Sequence, residues 1–175
     1  REYAGDIHSS GEHLLALIND ILDISKIEAG EGELHEDNVD LADIVRSCAT
    51  MIKERAHKGG IALMTDGIDG TVPSLRADPR RLKQILINLM SNAVKFTAEG
   101  SVCLHIGCPE ESVRLDSSHL TPANTIAFSV RDTGPGIAKD KHDAIFEAFQ
   151  QADGSTSRQY GGTGLGLSIS MALAQ

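Results

Sequence analysis

The 175-residue chain has no tryptophan, and aromatic residues make up only 3 % of it. Because 41 % of the chain is hydrophobic, its core must be built from aliphatic side chains. Basic residues are also scarce: 16 Lys and Arg stand against 25 Asp and Glu, and the net charge is −9 at pH 7. This charge argues against nucleic acid or an anionic membrane as the main partner. An anionic ligand would need local dipoles, a few cations and a metal ion.

Cysteine is rare as well. The three copies, Cys48, Cys103 and Cys108, show neither a metal-ligand spacing nor the even number of a disulfide framework, and are typical of free thiols in a reducing compartment. No apolar run approaches the ~20 residues that cross a bilayer, and no signal-peptide pattern is present. We therefore expect a cytoplasmic localisation. We expect no catalytic zinc, because the seven histidines form no H-E-x-x-H motif.

Residues 1–28 carry a seam at alternating spacings of four and three residues, which is typical of a helix in a coiled coil or a helical hairpin. One helix cannot bury such a seam alone, and no later segment repeats it. We therefore expect its partner to come from a second copy of the chain or from sequence outside it. The seam consists of Tyr3, Ile7, Ser10, Leu14, Leu17, Ile21 and Ile24.

The rest of the chain has an α+β pattern. Asp40 and the pair Asp78-Pro79 are helix-start signals, and Gly59-Gly60 is a stop signal. We expect the first of these helices to bury a face that includes Cys48, Met51 and Ile52. The predicted elements are strands at 33–39, 61–65, 101–107 and 125–131, helices at 40–58 and 79–96, a short helix around "DAIFEAFQQ" and a last helix from about Gly164.

The helix at 79–96 carries two asparagines and a lysine on one face. Asn88, Asn92 and Lys95 are separated by steps of four and three residues, which align side chains on a helix. Asparagine is unfavourable inside helices because its amide competes for backbone hydrogen bonds. Carboxamide oxygens suit a hard cation such as Mg²⁺, and an ammonium group suits phosphate. The alternative is the ordinary polar face of an amphipathic helix.

The segment "DTGPGI" follows an apolar strand. A carboxylate at its first position, Asp132, could accept a hydrogen bond from an exocyclic amine such as that of adenine, next to the glycine backbone of Gly134 and Gly136. The alternative is an ordinary Asp-Thr-Gly-Pro turn.

The segment "YGGTGLGLSIS" places glycines before an apolar helix, whose first N–H groups could receive an anion. It fits neither a P-loop nor a dinucleotide fingerprint, because both patterns require a Lys or Gly where Leu167 stands. Taken alone, it is also compatible with a flexible loop.

The order of these motifs carries a family resemblance. Read as "QILINLMSNAVKFT", "DTGPGI", "IFEAFQQ" and "YGGTGLGLS", they resemble the N, G1, F and G2 boxes of the ATP-binding catalytic domain of two-component sensor histidine kinases. "SGEHLLALINDILDISKIEAG" resembles the second helix of that family's dimerisation and phosphoacceptor hairpin. The resemblance implies an α+β fold, a two-layer α/β sandwich with a mixed sheet (the Bergerat-type ATP-binding fold) preceded by a long N-terminal helix. It also implies two domains, a partial hairpin at 1–29 and a catalytic domain at 30–175, where the family usually continues with further strands.

The resemblance implies that the chain binds ATP and Mg²⁺. Asn88 and Asn92 would hold the metal that bridges the ATP phosphates, and Lys95 would contact phosphate, so that Asn88 and Lys95 would be the catalytic residues. Asp132 would bind the adenine amine. A mobile lid at about 150–163 would close over the nucleotide, anchored on one side by Phe146 and Phe149. The other nucleotide-binding residues would be Gly134, Gly136, Arg158, Tyr160, Gly162, Thr163, Gly164, Leu165 and Gly166.

Asn88 separates the kinases from a related class. Gyrase-type ATPases resemble this chain but carry a glutamate at this position, as the general base for water. An amide cannot take a proton, and losing such a base typically costs ~10²–10⁴ in rate. The sequence therefore favours a kinase, which donates the γ-phosphoryl of ATP to a histidine, over a gyrase-type ATPase. A non-catalytic regulatory module that keeps the kinase fold is a further alternative.

The family's phosphoacceptor histidine is absent from the chain, because no run like H-E-[LF]-[RK]-T-P occurs. His8 and His13 lie in the segment that resembles the second hairpin helix, and we expect them to be surface or packing residues. The chain alone is therefore expected not to phosphorylate itself. The implied partners are a histidine-bearing dimerisation hairpin, a second copy in a homodimer and the receiver domain of a response regulator, without nucleic acid or membrane contact. The chain could be the cytosolic part of a membrane-anchored sensor.

Overall fold

The computed structural model describes residues 34–67, 75–110, 119–148 and 164–174 together with isolated positions between 7 and 25 and at 113. The chain divides into two units, Leu34–Gly136 and a second unit that joins Arg1–Glu33 to Ile137–Gln175. Every described residue between 7 and 25 is helical, as the seam predicts. No helix in the described ranges has both the length and the apolar character that crossing a bilayer requires.

The described residues of the Leu34–Gly136 unit form five strands and two helices. In chain order these are β1 (Asp37–Val39), α1 (Leu41–Lys58), β2 (Ala62–Asp66), β3 (Leu75–Ala77), α2 (Pro79–Phe96), β4 (Ser101–Gly107) and β5 (Ala127–Asp132). The strands β2, β4 and β5 form a mixed sheet in the order β2-β4-β5, in which β2 is parallel and β5 antiparallel to β4. Strands β1 and β3 form a separate antiparallel pair.

The two helices form the second layer of this unit. Helices α1 and α2 contact each other, and both contact the three-stranded sheet. Alternate residues of β4, namely Val102, Leu104 and Ile106, are fully buried, whereas the residues between them are half-buried. The buried core is aliphatic apart from the Met90 thioether and the Cys48 thiol, and burial raises the pKa of the Cys48 thiol. The predicted α+β sandwich with a mixed sheet is confirmed.

The ends of α1 follow the predicted signals. The Asp40 side chain accepts a hydrogen bond from the Asp43 N–H at the start of the helix. Gly59 ends the helix, and Gly60 has a φ of 68°, in the left-handed region that favours glycine.

Two sequence predictions for this unit were wrong in detail, and one strand was not predicted at all. The strand expected at 33–39 covers only Asp37–Val39, and the sequence did not predict its partner β3. A three-residue strand carries too little periodicity to be recognised without its neighbour.

Met51 is 63 % exposed, although the buried face of α1 was expected to include it. It lies about 100° around the helix from the buried Ile52, beyond the edge of the apolar stripe.

In the second unit, the described residues after Gly136 form two 3₁₀ turns, Lys139–Lys141 and Ala144–Phe146, and a helix, α3 (Gly166–Leu173). The 3₁₀ turn Ala144–Phe146 stands where a short helix was expected, and it contacts α3. Helix α3 begins two residues later than predicted, because Gly164 has a φ of 70°, which a right-handed helix cannot contain.

The buried carboxylate of Asp78 connects the start of α2 to the chain before β1. It accepts hydrogen bonds from the N–H groups of Arg80 and Arg81 in the first turn of α2 and from the N–H of His35. Burial by itself would raise the pKa of this carboxyl, but the three N–H groups and the Arg80 guanidinium outweigh burial and hold the pKa below its ordinary value.

We expect Asp78→Ala to lower the free energy of unfolding by about 1–2 kcal/mol at pH 7, because the N-cap and the bond to His35 are lost together. Asp78→Asn keeps an N-cap acceptor and should lose less. Since the folded pKa is lowered, the stabilisation is present above the unfolded pKa of about 4 and is lost as the pH falls through the folded value. Urea unfolding between pH 3 and 7 measures this. The exposed N-cap variant Asp40→Ala is the control, and a larger loss in it would contradict the role of Asp78.

Candidate functional site

Helix α2 presents Asn88, Asn92 and Lys95 on one half-buried face. Asn92 Nδ2 lies 3.5 Å from Asn88 Oδ1, so the two carboxamides are neighbours. The orientation of this face is set by the other side of α2, which is anchored in the core. The anchoring residues are Leu86, Met90, Ala93 and Val94.

Lys95 extends this face toward the C-terminal end of α2. Its ammonium lies 4.8 Å from the centroid of the Phe96 ring, a cation–π distance. Burial lowers the pKa of Lys95, and the positive charge of Arg55 on α1 lowers it further. Desolvation and a like charge both disfavour the ammonium form, so an anion bound here would relieve both effects.

Asp132, the last residue of β5, begins a turn that is held at several points. Its Oδ1 accepts a hydrogen bond of 2.8 Å from the Gly134 N–H. The Thr133 hydroxyl accepts one of 3.0 Å from the Ser101 N–H and donates one of 3.2 Å to the Glu99 carbonyl. The side chain of Asp132 is exposed, whereas its backbone is paired with Val102 of β4.

Gly134 brings this turn against the end of α2. A Cβ atom at Gly134 would lie 2.9 Å from the Phe96 carbonyl oxygen and 2.8 Å from Asp132 Oδ1, closer than real Cβ contacts. Only glycine allows the approach. The residue before Phe96 is Lys95, so one junction brings the Asp132 carboxylate and the ammonium-bearing end of α2 together.

The arrangement fits a phosphate-bearing ligand with Mg²⁺. Mg²⁺ is usually held by one or two protein oxygens together with substrate phosphates. A carboxamide can present its oxygen after a half-turn about its terminal bond, so both Asn88 and Asn92 can offer one. Lys95 supplies a partly desolvated cation on the same face, where its attraction for phosphate is stronger than in water.

The structure thus brings together Asn88, Asn92, Lys95, Asp132 and Gly134 within one unit. Gly136, nearby in sequence, has a φ of 72° with open space where a Cβ would stand. Gly164, Leu165 and Gly166 belong to the second unit, where Leu165 is buried. The predicted residues Phe149, Arg158, Tyr160, Gly162 and Thr163, the lid at 150–163, and His8 and His13 lie outside the described residues.

Sequence reasoning missed three residues at this site. Ser91 could have been found, because it follows Asn88 by three residues on the same helix. Thr133 stands inside "DTGPGI", but its bonds to the Glu99–Ser101 segment join parts of the chain that are distant in sequence. Arg55 has no local signal, since only the packing of α1 on α2 brings it near this face.

We expect Gly134→Ala to lower the free energy of unfolding by about 1–3 kcal/mol, since the added methyl group collides with a backbone carbonyl that cannot move freely. The displaced turn should also weaken nucleotide binding. Urea unfolding and calorimetric titration with ATP measure the two effects. The matched control is Gly59→Ala, where the nearest atom to the new Cβ lies 3.5 Å away and φ is −83°. Equal effects in the two variants would contradict the tight junction.

Comparison with known proteins places the chain among ATPase domains. Residues 77–175 match the family described as Histidine kinase-, DNA gyrase B-, and HSP90-like ATPase. The chain is 45 % identical over 177 residues to the circadian input-output histidine kinase CikA of Synechococcus elongatus, covering 100 % of this chain and 22 % of CikA. It is 44 % identical over 174 residues to the sensor histidine kinase GacS of Pseudomonas protegens, covering 99 % of this chain and 18 % of GacS.

The fold is also similar to a solved structure. The crystal structure of full-length ShkA in complex with AMPPNP matches with a TM-score of 0.78 and 38 % sequence identity, over 99 % of this chain and 33 % of the ShkA chain. The chain therefore spans about a fifth of the length of the two curated relatives and a third of ShkA.

Proposed function

The chain belongs to the Histidine kinase-, DNA gyrase B-, and HSP90-like ATPase family, and from this premise we propose that it binds Mg-ATP and donates the γ-phosphoryl group. The acceptor would be a histidine of a dimerisation hairpin. Within the family the chain is the histidine kinase-like ATPase domain of a sensor kinase. The proposed transfer is a protein-histidine kinase activity in two-component signalling. The AMPPNP complex of ShkA supports ATP as the nucleotide, because AMPPNP is an ATP analogue.

The observation that carries this proposal is the junction at which Gly134 meets the Phe96 carbonyl. It joins the two parts of a nucleotide-binding site. One part is the Asp132 carboxylate for the adenine amine, and the other is the polar face of α2 for the phosphates. Neither part identifies a nucleotide alone, since an exposed turn and an amphipathic helix are both common. Their convergence within one unit favours a ligand with a base at one end and phosphates at the other.

The residues of the chain would bind and orient the substrate. Asp132 would accept a hydrogen bond from the adenine amine, and Lys95 would pair with phosphate oxygens. Asn88 and Asn92 would hold Mg²⁺, which when bound neutralises phosphate charge. Phosphoryl transfer depends mostly on such positioning and charge neutralisation. Because Asn88 has no basic oxygen, the site would lack a base to activate water and would keep the γ-phosphoryl for a histidine nucleophile.

The proposed organisation has two parts. Residues 1–29 would be the second helix of a dimerisation hairpin and 30–175 the catalytic domain. Its lid, at about 150–163, would contain Arg158 and Tyr160 and would be hinged by Gly162, Gly164 and Gly166. The acceptor histidine would lie on the other hairpin helix, in a homodimer whose phosphoryl group passes on to a response regulator receiver domain. We expect this activity in the cytoplasm, where ATP and receiver domains are found.

The direct test mixes the purified chain with γ-labelled ATP, Mg²⁺ and a separately produced dimerisation hairpin from a relative such as GacS. We expect acid-labile label on the hairpin and none on the chain alone. A hairpin whose acceptor histidine is replaced by glutamine is the control and should stay unlabelled. Label on His8 or His13 of the chain alone, or an unlabelled hairpin in the presence of bound ATP, would count against the proposal.

A further inference from the structure

Arg55, on the exposed side of α1, is fixed to the polar face of α2. Its Nη1 donates a hydrogen bond of 3.2 Å to the Ser91 hydroxyl. Ser91 lies three residues after Asn88 and four before Lys95, so all three point to the same side of α2. The hydrogen bond therefore places the guanidinium beside the amide and ammonium groups of the candidate site.

A second positive charge, that of Lys95, lies near this contact. Arg55 is close enough to Lys95 for its charge to lower the pKa of the ammonium. The two carboxylates of α1 are engaged elsewhere, because Asp43 pairs with Arg46 and Glu54 pairs with Lys58. Within the described residues, Arg55 instead donates a hydrogen bond to a neutral group, the Ser91 hydroxyl of α2. Two cations held close together repel each other. A multiply charged anion bound between them would attract both, and this attraction would outweigh their repulsion.

We propose that Arg55 is a further phosphate-binding residue of this site, acting with Lys95 on the phosphate chain of the nucleotide and held in position by Ser91. The inference rests on the proposed function and extends it by adding a second helix to the phosphate site. The guanidinium suits this role, because it has five N–H donors in a planar fork and uses one on Ser91, leaving others for phosphate oxygens.

The test is calorimetric titration of the whole chain and its Arg55→Gln variant with Mg-ATP, Mg-ADP and adenosine, the last followed by NMR shifts. We expect Arg55→Gln to raise the Kd for ATP and ADP by about five- to thirtyfold, the typical loss of one charge-assisted hydrogen bond at a partly exposed site. Adenosine has no phosphate, so its Kd should stay unchanged. The difference between the two proteins should shrink as salt is raised, because salt screens exposed charges.

Two further variants separate phosphate binding from packing. Lys53→Gln removes the same charge from an exposed position on another side of α1 and should leave ATP affinity unchanged. Arg55→Lys keeps the charge and should restore part of the affinity. An Arg55→Gln protein that equals Lys53→Gln, or that loses adenosine and ATP affinity equally, overturns the inference alone. A wild-type chain that binds no ATP overturns the proposed function, and the inference with it.

Discussion

Replacing Asp132 by asparagine is expected to weaken ATP binding by roughly 10- to 100-fold, the loss of one hydrogen bond to a charged acceptor. Asparagine is nearly isosteric and can still accept the Gly134 N–H bond that organises the turn. Its other terminal atom is an NH₂ donor, however, which would face the adenine amine donor and repel it. Isothermal titration with Mg-ATP measures the change, and circular dichroism shows that the variant stays folded.

Inosine triphosphate provides the internal control for this prediction. It carries a carbonyl oxygen, an acceptor, where ATP carries the amine. The wild-type chain should therefore prefer ATP, and Asp132→Asn should narrow or reverse that preference because its NH₂ group suits the carbonyl. If both proteins bind the two nucleotides with an unchanged ratio, Asp132 does not contact the adenine amine.

Replacing Asn88 by glutamate is expected to raise the hydrolysis of ATP by water by about tenfold or more, while transfer to the hairpin falls. A carboxylate at this position can take a proton from water, and a well-placed general base contributes ~10²–10⁴ in rate. The glutamate would also lie near the Asn92 amide, which is 3.5 Å from the present Asn88 oxygen and could orient it. Steady-state phosphate release measures hydrolysis, and label on the hairpin measures transfer.

The matched control is Asn88→Gln, which has the same length and shape as the glutamate but no basic oxygen. It should not raise hydrolysis. An increase in both variants would trace the effect to the longer side chain, and no increase in Asn88→Glu would show that this position does not face the attacking water. Either result would remove the argument that Asn88 distinguishes a kinase from a gyrase-type ATPase.

The helix ends were predictable because their signals are local. Asp40, Asp78 and Gly59-Gly60 act on backbone groups within a few residues, so the sequence next to each helix already contains the cause. The alignment of Asn88, Asn92 and Lys95 was equally local, since helix geometry alone puts residues at these spacings on one side. The order of the four boxes along the chain is sufficient to indicate the family, and the family match confirms it.

Features that depend on pairing between distant segments were not predictable in this way. Strand β3 exists because Leu75–Ala77 pairs with Asp37–Val39, and neither segment is long enough to show a period by itself. The exposure of Met51 follows from how α1 is rotated against α2 and the sheet. A helical sequence pattern does not determine whether the residue at each edge of the apolar stripe is buried.

The sequence by itself determined the aliphatic core, the limits of the two helices and the residue types available to bind a nucleotide, because these follow from composition and short-range geometry. Only the tertiary structure decided which of these residues lie next to each other. It set Gly134 against the Phe96 carbonyl, so that Asp132 meets the end of the helix that bears Lys95. It also set Arg55 against Ser91. Both contacts join segments more than thirty residues apart, and such distances close only when the helices and the sheet pack around a shared core.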